Sequence, residues 1–228
     1  MKFITVIPAR KGSKSIKNKN RIKINNKPLI QFTFDQIRKS KLSLRNSYVI
    51  TDDTKVKKIA KKYNINNEYL RPKSLSSGKT PLIKNLLHFV DWTDSRKIKY
   101  DYIVILQPTS PLRSIIDINK SIEIINKKKS KCLLSISKSL EHPYESVFIN
   151  KKNKIDFFLK NGLKYTRRQD FDRSSYFING AIYITTKEMI KKNKIIDYSM
   201  SDFIVMNKVN SLDLNDYSEL NLIKNLLS

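Results

Sequence analysis

The sequence predicts an α/β fold: a mostly parallel sheet flanked by helices, with a small inserted β-rich arm. Three observations carry this. Short runs of β-branched and apolar residues alternate with stretches of helical periodicity, the pattern of βαβ units. The polar residues able to do chemistry follow the ends of those apolar runs, where open parallel sheets bind ligands. At 228 residues the chain can bury a good core as a single domain over 1–228.

The first strand is Phe3 to Ile7, stopped by Pro8. A basic loop follows, with Arg10, Lys11, Gly12, Ser13, Lys14, Lys17, Lys19, Asn20 and Arg21. A strand running into a cationic loop suits a polyphosphate. The strand fixes the loop, Gly12 lets backbone N–H groups turn toward an anion, and the Lys and Arg side chains add charge. The loop is neither G-x-x-x-x-G-K-S/T nor G-x-G-x-x-G, because Gly12 stands alone. A Lys-rich run is equally the composition of a solvated face.

Lys27-Pro28-Leu29-Ile30 opens a helix spanning Ile30 to Ser40, with Ile30, Phe34 and Ile37 on one face and Lys and Arg near its C-terminal end. Ser47 to Ile50 is the second strand and Thr54 to Tyr63 the next helix, its Val56, Ile59, Ala60 and Tyr63 at helical spacing. Glu68 to Leu70 reads as a short third strand. Pro81 to Trp92 is helical, with Leu82, Leu86, Phe89 and Val90 on the buried side. Tyr102 to Leu106 is a buried strand, Ile115 to Lys127 a helix, and Lys131 to Ser137 another strand. From about 140 to 178 the pattern changes. Pieces of β character (Ser146 to Asn150, Lys154 to Leu159) alternate with polar turns, a poor core element but a suitable dimerisation arm. Ala181 to Thr185 resumes the sheet and Phe203 to Met206 is a last strand. Tyr217 to Leu227 is a closing helix with Leu220, Ile223, Leu226 and Leu227 inward. Arg10, Asp52, Arg71 and Gln107, each just past a strand, should therefore meet on one edge.

The net charge of +26 suggests a polyanion partner by itself. The Lys residues are spread along the chain with no basic tail or stripe, and neither a stacking-aromatic motif nor a helix-turn-helix pattern is present, so no nucleic-acid partner is expected. The excess charge would help to attract small anionic substrates. The single Cys132 lies in an apolar run and cannot form an intrachain disulfide. No apolar run approaches spanning length and Met1-Lys2 leads directly into a strand, so the expectation is a cytoplasmic protein with no membrane partner. His142 has no His partner except His88, which makes a two-His metal site unfavourable.

The string I-P-A-R-K-G-S-K-x-I-x-x-K-N at residues 7–20 resembles the opening signature of the acylneuraminate cytidylyltransferase (CMP-sialic acid synthetase) family. Leu70-Arg71-Pro72, Gln107-Pro108-Thr109-Ser110-Pro111-Leu112-Arg113, Arg168-Gln169 and Asn179-Gly180-Ala181-Ile182-Tyr183-Ile184 resemble its later motifs in the same order. The resemblance implies an α/β nucleotidyltransferase sandwich, Rossmann-like in its layering, that acts as a homodimer. It implies Mg²⁺-dependent transfer of CMP from CTP to the anomeric hydroxyl of an acidic nine-carbon sugar, with release of pyrophosphate. An eight-carbon acid, or a binding module without turnover, stays open as an alternative.

Carried over position by position, the resemblance places Ala9, Arg10, Gly12, Ser13, Lys19, Asn20 and Arg71 on the nucleotide. Arg10 and Lys19 would steady the phosphates and the departing pyrophosphate. Gln107 and Asn179 would face the acceptor, and Arg168 and Gln169 the sugar carboxylate, within the chain or across a dimer interface. Asp213 matches the first aspartate of a D-x-D metal site and is the nearest candidate for a catalytic acid or base. Three departures stand out. Asn215 replaces the second metal aspartate, Ser77-Gly78-Lys79 stands in place of S-D-T, and Asp172-Arg173-Ser174-Ser175 is one residue longer than the usual form and lacks its proline.

Overall fold

The computed structural model describes residues 1–13, 15–165 and 167–227. In chain order the elements are β1 (Phe3–Pro8), β2 (Lys23–Ile24), β3 (Lys27–Pro28), α1 (Leu29–Lys39), β4 (Ser47–Ile50), α2 (Thr54–Lys62), α3 (Leu82–Ser95) and β5 (Tyr102–Leu106). Then come α4 (Ile115–Lys128), β6 (Cys132–Lys138), β7 (Val147–Ile149), β8 (Ile155–Phe157), β9 (Tyr176–Thr186), α5 (Lys187–Lys191), β10 (Ser201–Met206) and α6 (Tyr217–Leu226). No helix among the described residues is long and apolar enough to cross a membrane.

Six strands form one sheet in the order β10-β6-β9-β5-β1-β4. The pairs β1–β4, β1–β5 and β10–β6 are parallel, while β9 runs antiparallel to both β5 and β6. Alternation along the strands sorts the core into two layers. Ile7, Val49, Val104 and Leu106 face Ile30, Phe34 and Ile37 of α1, Val56 of α2 and Ile118 and Ile122 of α4. Ile4, Val6, Ile50, Ile103 and Ile105 face Leu86, Phe89 and Val90 of α3 and Ile190 of α5. A third cluster joins Ile16, Ile24 and Leu29 to Leu214, Leu220 and Ile223, so α6 packs beneath the basic loop.

The structure departs from the sequence expectations in specific places. Glu68 to Leu70 is no strand. Backbone pairing with the sheet stops before it, at Asn66, where Val49 donates to Asn66 and Asn66 to Ser47, a single bridge to Tyr48. Tyr69 is instead buried among Phe89 and Trp92. The first helix opens within residues 27–30 as expected, α1 starting at Leu29 with Pro28 as its N-cap, and Lys27 and Pro28 also close a small hairpin with β2. Asn25 and Asn26 both take positive φ, 46° and 64°, as a tight two-residue turn requires. Leu226 is exposed, so only Leu220 and Ile223 of α6 face fully inward. The expected β pieces of the arm do pair, as the antiparallel hairpin β7–β8.

One buried cation ties the layers together. Arg113 is 2% exposed. Its Nη1 donates to the Ala181 carbonyl at 2.6 Å and the Gln107 carbonyl at 3.2 Å. Its Nη2 donates to Gln36 Oε1 at 2.7 Å and Thr33 Oγ1 at 3.2 Å. Burial pushes its pKa down to about 9, opposed by the Asp213 charge, so the guanidinium stays charged at neutral pH. Replacing Arg113 by Ala would take the donor from the Ala181 carbonyl and the Gln36 side-chain oxygen, at about 1–3 kcal/mol each, while the Gln107 carbonyl would keep the Ser110 N–H. Arg113→Ala is expected to lower unfolding stability by at least about 3 kcal/mol in urea titrations; a loss under about 1 kcal/mol would remove the residue from this role.

Candidate functional site

The site lies where β1, β4 and β5 end. The first parallel strand delivers Ala9, fully buried, to the edge, and its N–H donates to the Ile50 carbonyl at 3.0 Å. Thr51 Oγ1 donates to the Ala9 carbonyl, which binds the exits of β1 and β4 to each other. The basic loop beyond is then held from two sides.

On the β4 side, Lys11 N–H donates to Asp52 Oδ1 at 2.7 Å. Arg21 Nε donates to Asp53 Oδ2 at 2.8 Å, and the other oxygen of Asp53 caps α2 through the Lys55 and Val56 N–H groups. Burial raises the Asp53 carboxyl, but the Arg21 bond, the Lys55 N–H and the Arg21 charge outweigh it, so its pKa lies below the ordinary value. On the other side, Lys19 Nζ donates to the Leu214 and Asn215 carbonyls at 2.8 and 2.9 Å. Ser15 Oγ donates to the Asn215 carbonyl, and buried Ile16 anchors the loop in the α6 cluster. Burial lowers the Lys19 pKa, partly offset by Asp213 and Glu219. Asn20 Nδ2 donates to the Arg10 carbonyl at 2.9 Å, leaving its side-chain oxygen and second amide N–H for a ligand. Lys14 lies outside the described residues.

These ties leave the Arg10 guanidinium without a hydrogen-bond or ion-pair partner among the described residues, half-buried at the strand edge. Gly12 is not required by conformation: its φ lies outside the left-handed region and a Cβ there would meet nothing within 4 Å. Its backbone, like that of Ser13, is open to approach. Arg71 is 6% exposed and places Nε and Nη2 on the Leu75 carbonyl at 3.0 and 2.7 Å. Burial lowers its pKa; Asp52 opposes that and Arg10 adds to it, which puts Arg10, Asp52 and Arg71 in one electrostatic neighbourhood.

Gln107 ends β5. Gly180, at φ 72°, lies opposite, and a Cβ on it would come 3.4 Å from Gln107 Nε2 and 3.7 Å from the Tyr183 hydroxyl. Only glycine takes this φ cheaply. Asn179 does not present its side chain to this space. It is 5% exposed, its Oδ1 accepts from Ser135 Oγ at 2.6 Å and from Ala181 N–H at 3.1 Å, and its Nδ2 lies 3.6 Å from Met206 Sδ. Ser135 spans the irregularity where β6 pairing jumps between Leu134 and Ile136, so Asn179 braces the bulge that exposes Gly180.

Asp213 and Asn215 flank Leu214, whose buried side chain and N–H bond to the Thr109 carbonyl at 2.8 Å fix the segment. Burial raises the Asp213 pKa, against a Thr109 hydrogen bond and the Lys19 charge. Asn215 N–H donates to Glu219, and its Nδ2 reaches Glu219 Oε1 at 3.3 Å. Asp216 is committed to capping α6. Arg168 and Gln169 sit on the arm, lining a cavity of about 560 Å³ with His142, Phe171 and Arg173. Arg168 is held there by Glu141 and by Glu145 at 2.9 Å, and no hydrogen bond or ion pair among the described residues joins it to the loop site. Sequence reasoning named Arg113 only within a motif and missed Asp53, Ser135 and Glu219. The Asp53-Thr54 step before a helical stretch was a capping signal that pointed to Asp53.

A family model described as Cytidylyltransferase matches residues 4–215. The chain is 29% identical over 223 residues to an N-acylneuraminate cytidylyltransferase of Escherichia coli, covering 97% of this chain and 51% of that protein, so it spans about half of that relative's length. It is 27% identical over 217 residues to the CMP-N,N'-diacetyllegionaminic acid synthase of Legionella pneumophila, covering 94% of this chain and 91% of that protein. It is 28% identical over 210 residues to a pseudaminic acid cytidylyltransferase of Campylobacter jejuni, covering 90% and 88%. A solved CMP:2-keto-3-deoxy-manno-octonic acid synthetase complexed with CTP superposes with TM-score 0.72 at 16% identity, over 100% of this chain and 98% of that one, and shares the fold.

The anchoring of the loop can be checked through Asp53. Asp53→Ala removes the α2 cap and the Arg21 bond and should cost about 1–3 kcal/mol at pH 7. Because folding depresses the carboxyl pKa, this contribution is complete above the unfolded value of about 3.9 and is lost as pH falls through the folded value. Urea midpoints of the two proteins should differ at pH 7 and converge as pH falls below the unfolded value and through the depressed folded one; a constant gap would show that the charge does not matter.

Proposed function

The chain belongs to the cytidylyltransferase family, and we propose that it transfers CMP from CTP to the anomeric hydroxyl of a nonulosonic, sialic-acid-like sugar. The sugar oxygen bonds to the α-phosphorus, the bond from that phosphorus to the bridging oxygen of pyrophosphate breaks, and the hydroxyl proton is released. The observation that carries this reading is the Arg10 guanidinium, without a partner among the described residues, on a loop pinned from both sides, at the edge shared with Gln107 and Gly180. The relatives named for sialic, legionaminic and pseudaminic acids support the choice of acceptor class.

The chemistry asks for positioning and fixed positive charge more than for covalent help. Arg10 and the open backbone of Gly12 and Ser13 would receive phosphate oxygens, and Lys19 would add charge from a fixed point; Ala9, buried with its N–H on the Ile50 carbonyl and its carbonyl on Thr51, fixes the strand edge and offers no backbone group to the nucleotide. Arg71 and the side-chain oxygen of Asn20 would bound the nucleoside end. Gln107 and the surface opened by Gly180 would receive the acceptor, with Asn179 acting through the bulge. The donor set for a hard cation is the Asp213 carboxylate and the Asn215 amide oxygen, which fits Mg²⁺ held by one carboxylate plus phosphates. Mg²⁺ bound there would neutralise charge developing on the phosphates.

The arm supports a homodimer in this reading. Phe148, Ile149, Ile155, Phe158 and Leu163 are exposed on it, with Phe177 beside them at the start of β9, more apolar surface than a hairpin leaves to water without a covering partner. A second copy is the proposed cover, and it would carry its own Arg168 and Gln169 toward the neighbouring acceptor site.

Two measurements test these statements. Pyrophosphate release from CTP and Mg²⁺ should appear with a nine-carbon acid among N-acetylneuraminic, legionaminic, pseudaminic and eight-carbon acids. Arg10→Ala should lower turnover by about 10²-fold or more with unchanged circular dichroism; near-normal turnover would reject its role. Sedimentation equilibrium should give a dimer that Phe148→Asp shifts toward monomer, and a monomer for the unmodified chain would reject the arm as its interface.

A further inference from the structure

β9 parts from both of its neighbours at one place. Its pairing with β5 ends at Ile182, opposite Leu106. Its pairing with β6 jumps from Tyr183 opposite Leu134 to Ile178 opposite Ile136, so residues 179–182 stand against Ser135 alone. Extra residues of this kind re-aim a strand, and here the detour brings Gly180, at φ 72°, opposite the Gln107 amide. Ser135 is fully buried. Its hydroxyl donates to Asn179 Oδ1 at 2.6 Å and accepts from the Ile182 N–H at 2.9 Å, so one oxygen ties both ends of the detour. The Ile182 carbonyl, at 3.3 Å, is the weaker alternative for its single proton. Asn179 Oδ1 also accepts from the Ala181 N–H at 3.1 Å, and Arg113 holds the Ala181 carbonyl at 2.6 Å.

These ties divide the support of the detour. Arg113 fixes the end that returns to β5, and Ser135, through Asn179, fixes the end where β9 leaves β6. Without the hydroxyl, the buried Ile182 N–H loses its side-chain acceptor and Asn179 keeps only the Ala181 N–H and a 3.6 Å contact with Met206 Sδ. Gly180, between them, is then free to shift against Gln107. The basic loop is held by other groups, Asp52, Asp53 and the Leu214 and Asn215 carbonyls, and neither the Ser135 nor the Asn179 side chain bonds to any of these. The two sides of the site therefore stand on separate supports.

We infer that Ser135 is a positioning residue for the sugar acceptor: acting through Asn179, it sets where Gly180 stands relative to Gln107 and leaves the nucleotide loop untouched. The inference rests on the transfer reaction proposed above and adds to it a residue that meets neither substrate. A small displacement of a positioning surface is enough to lower a rate by orders of magnitude, because the reacting oxygen must lie in line with the phosphorus.

The test separates the two substrates. The full-length chain is assayed with CTP, Mg²⁺ and whichever of N-acetylneuraminic, legionaminic or pseudaminic acid the unmodified chain turns over, and CTP is titrated into each variant by calorimetry. Ser135→Ala should lower kcat/KM for the acid about tenfold or more, with its KM raised, while the affinity and stoichiometry of CTP binding stay within about twofold of the unmodified chain. Ser135→Cys keeps the shape and weakens both hydrogen bonds, and it carries the same comparison if Ser135→Ala does not fold. Asn179→Ala should reproduce the effect, and the double variant should lose no more than either single one, since both break the same tie. A variant whose kcat and CTP stoichiometry fall together at unchanged acid KM has only lost folded protein, and that result overturns the positioning role. An unaltered kcat/KM for the acid, CTP affinity weakened as much as acid KM is raised, or additive losses in the double variant overturn it as well. Absence of turnover by the unmodified chain with every acid, alongside CTP binding, overturns the transfer reading instead.

Discussion

Arg113 carries a full charge into the core with no carboxylate bonded to it. Desolvating a guanidinium is costly, and only several well-placed acceptors offset that cost. The acceptors here come from three separate parts of the chain: Thr33 and Gln36 on α1, Gln107 at the end of β5, and Ala181 on β9. They are satisfied together only when the helix, the strand end and the antiparallel strand meet at one register. Gln36 returns the tie by donating to the Pro111 carbonyl at 2.7 Å. This buried charge, with the β5–β9 pairing, holds Gln107 in position opposite Gly180.

The basic-loop side is assembled by a different logic. Arg10, Lys11, Lys17, Lys19 and Arg21 crowd into a short loop and repel one another. The fold answers with two acids from β4 and α2, two carbonyls before α6, and Ile16 sunk into an apolar cluster. The backbone of Lys11 and the side chains of Lys19 and Arg21 are taken up in holding the loop, whereas the guanidinium of Arg10 is not. A preplaced cation of that kind can stabilise developing charge without reorganising when the reaction begins. The arm contrasts with this: its Arg168 rests on exposed pairs with Glu141 and Glu145, which water and salt screen, so they resist little when a competing carboxylate or a partner surface arrives.

Periodicity and composition were enough for the alternating elements, the apolar faces of α1, α2 and α3, and the placing of Arg10, Asp52 and Gln107 just past the ends of β1, β4 and β5, because strand ends in a parallel sheet share an edge by construction; Arg71 comes near Arg10 and Asp52 without a strand before it. The motif strings were enough for the family. Local pattern misread Glu68 to Leu70, since an apolar triplet looks like a strand whether its backbone pairs or its Tyr69 merely fills a gap between helix and sheet. It found the opening of α1 at residues 27–30 but not the hairpin just before it, although the Asn25-Asn26 turn was legible in the residues themselves.

Only the tertiary structure decided the rest. That β9 runs antiparallel puts its beginning, Asn179-Gly180, rather than its end beside Gln107, and strand direction is a property of the pairing, not of the strand's own residues. That Asn179 faces inward depends on a bulge shared with β6, which needs both strands to exist. That Glu219 and Asp216 serve a helix end, leaving Asp213 to face Lys19 beside a neutral Asn215, depends on how a segment near the C-terminus docks against a loop near the N-terminus. The sequence determined which charges are present; contacts between distant segments determined which of them remain free to act.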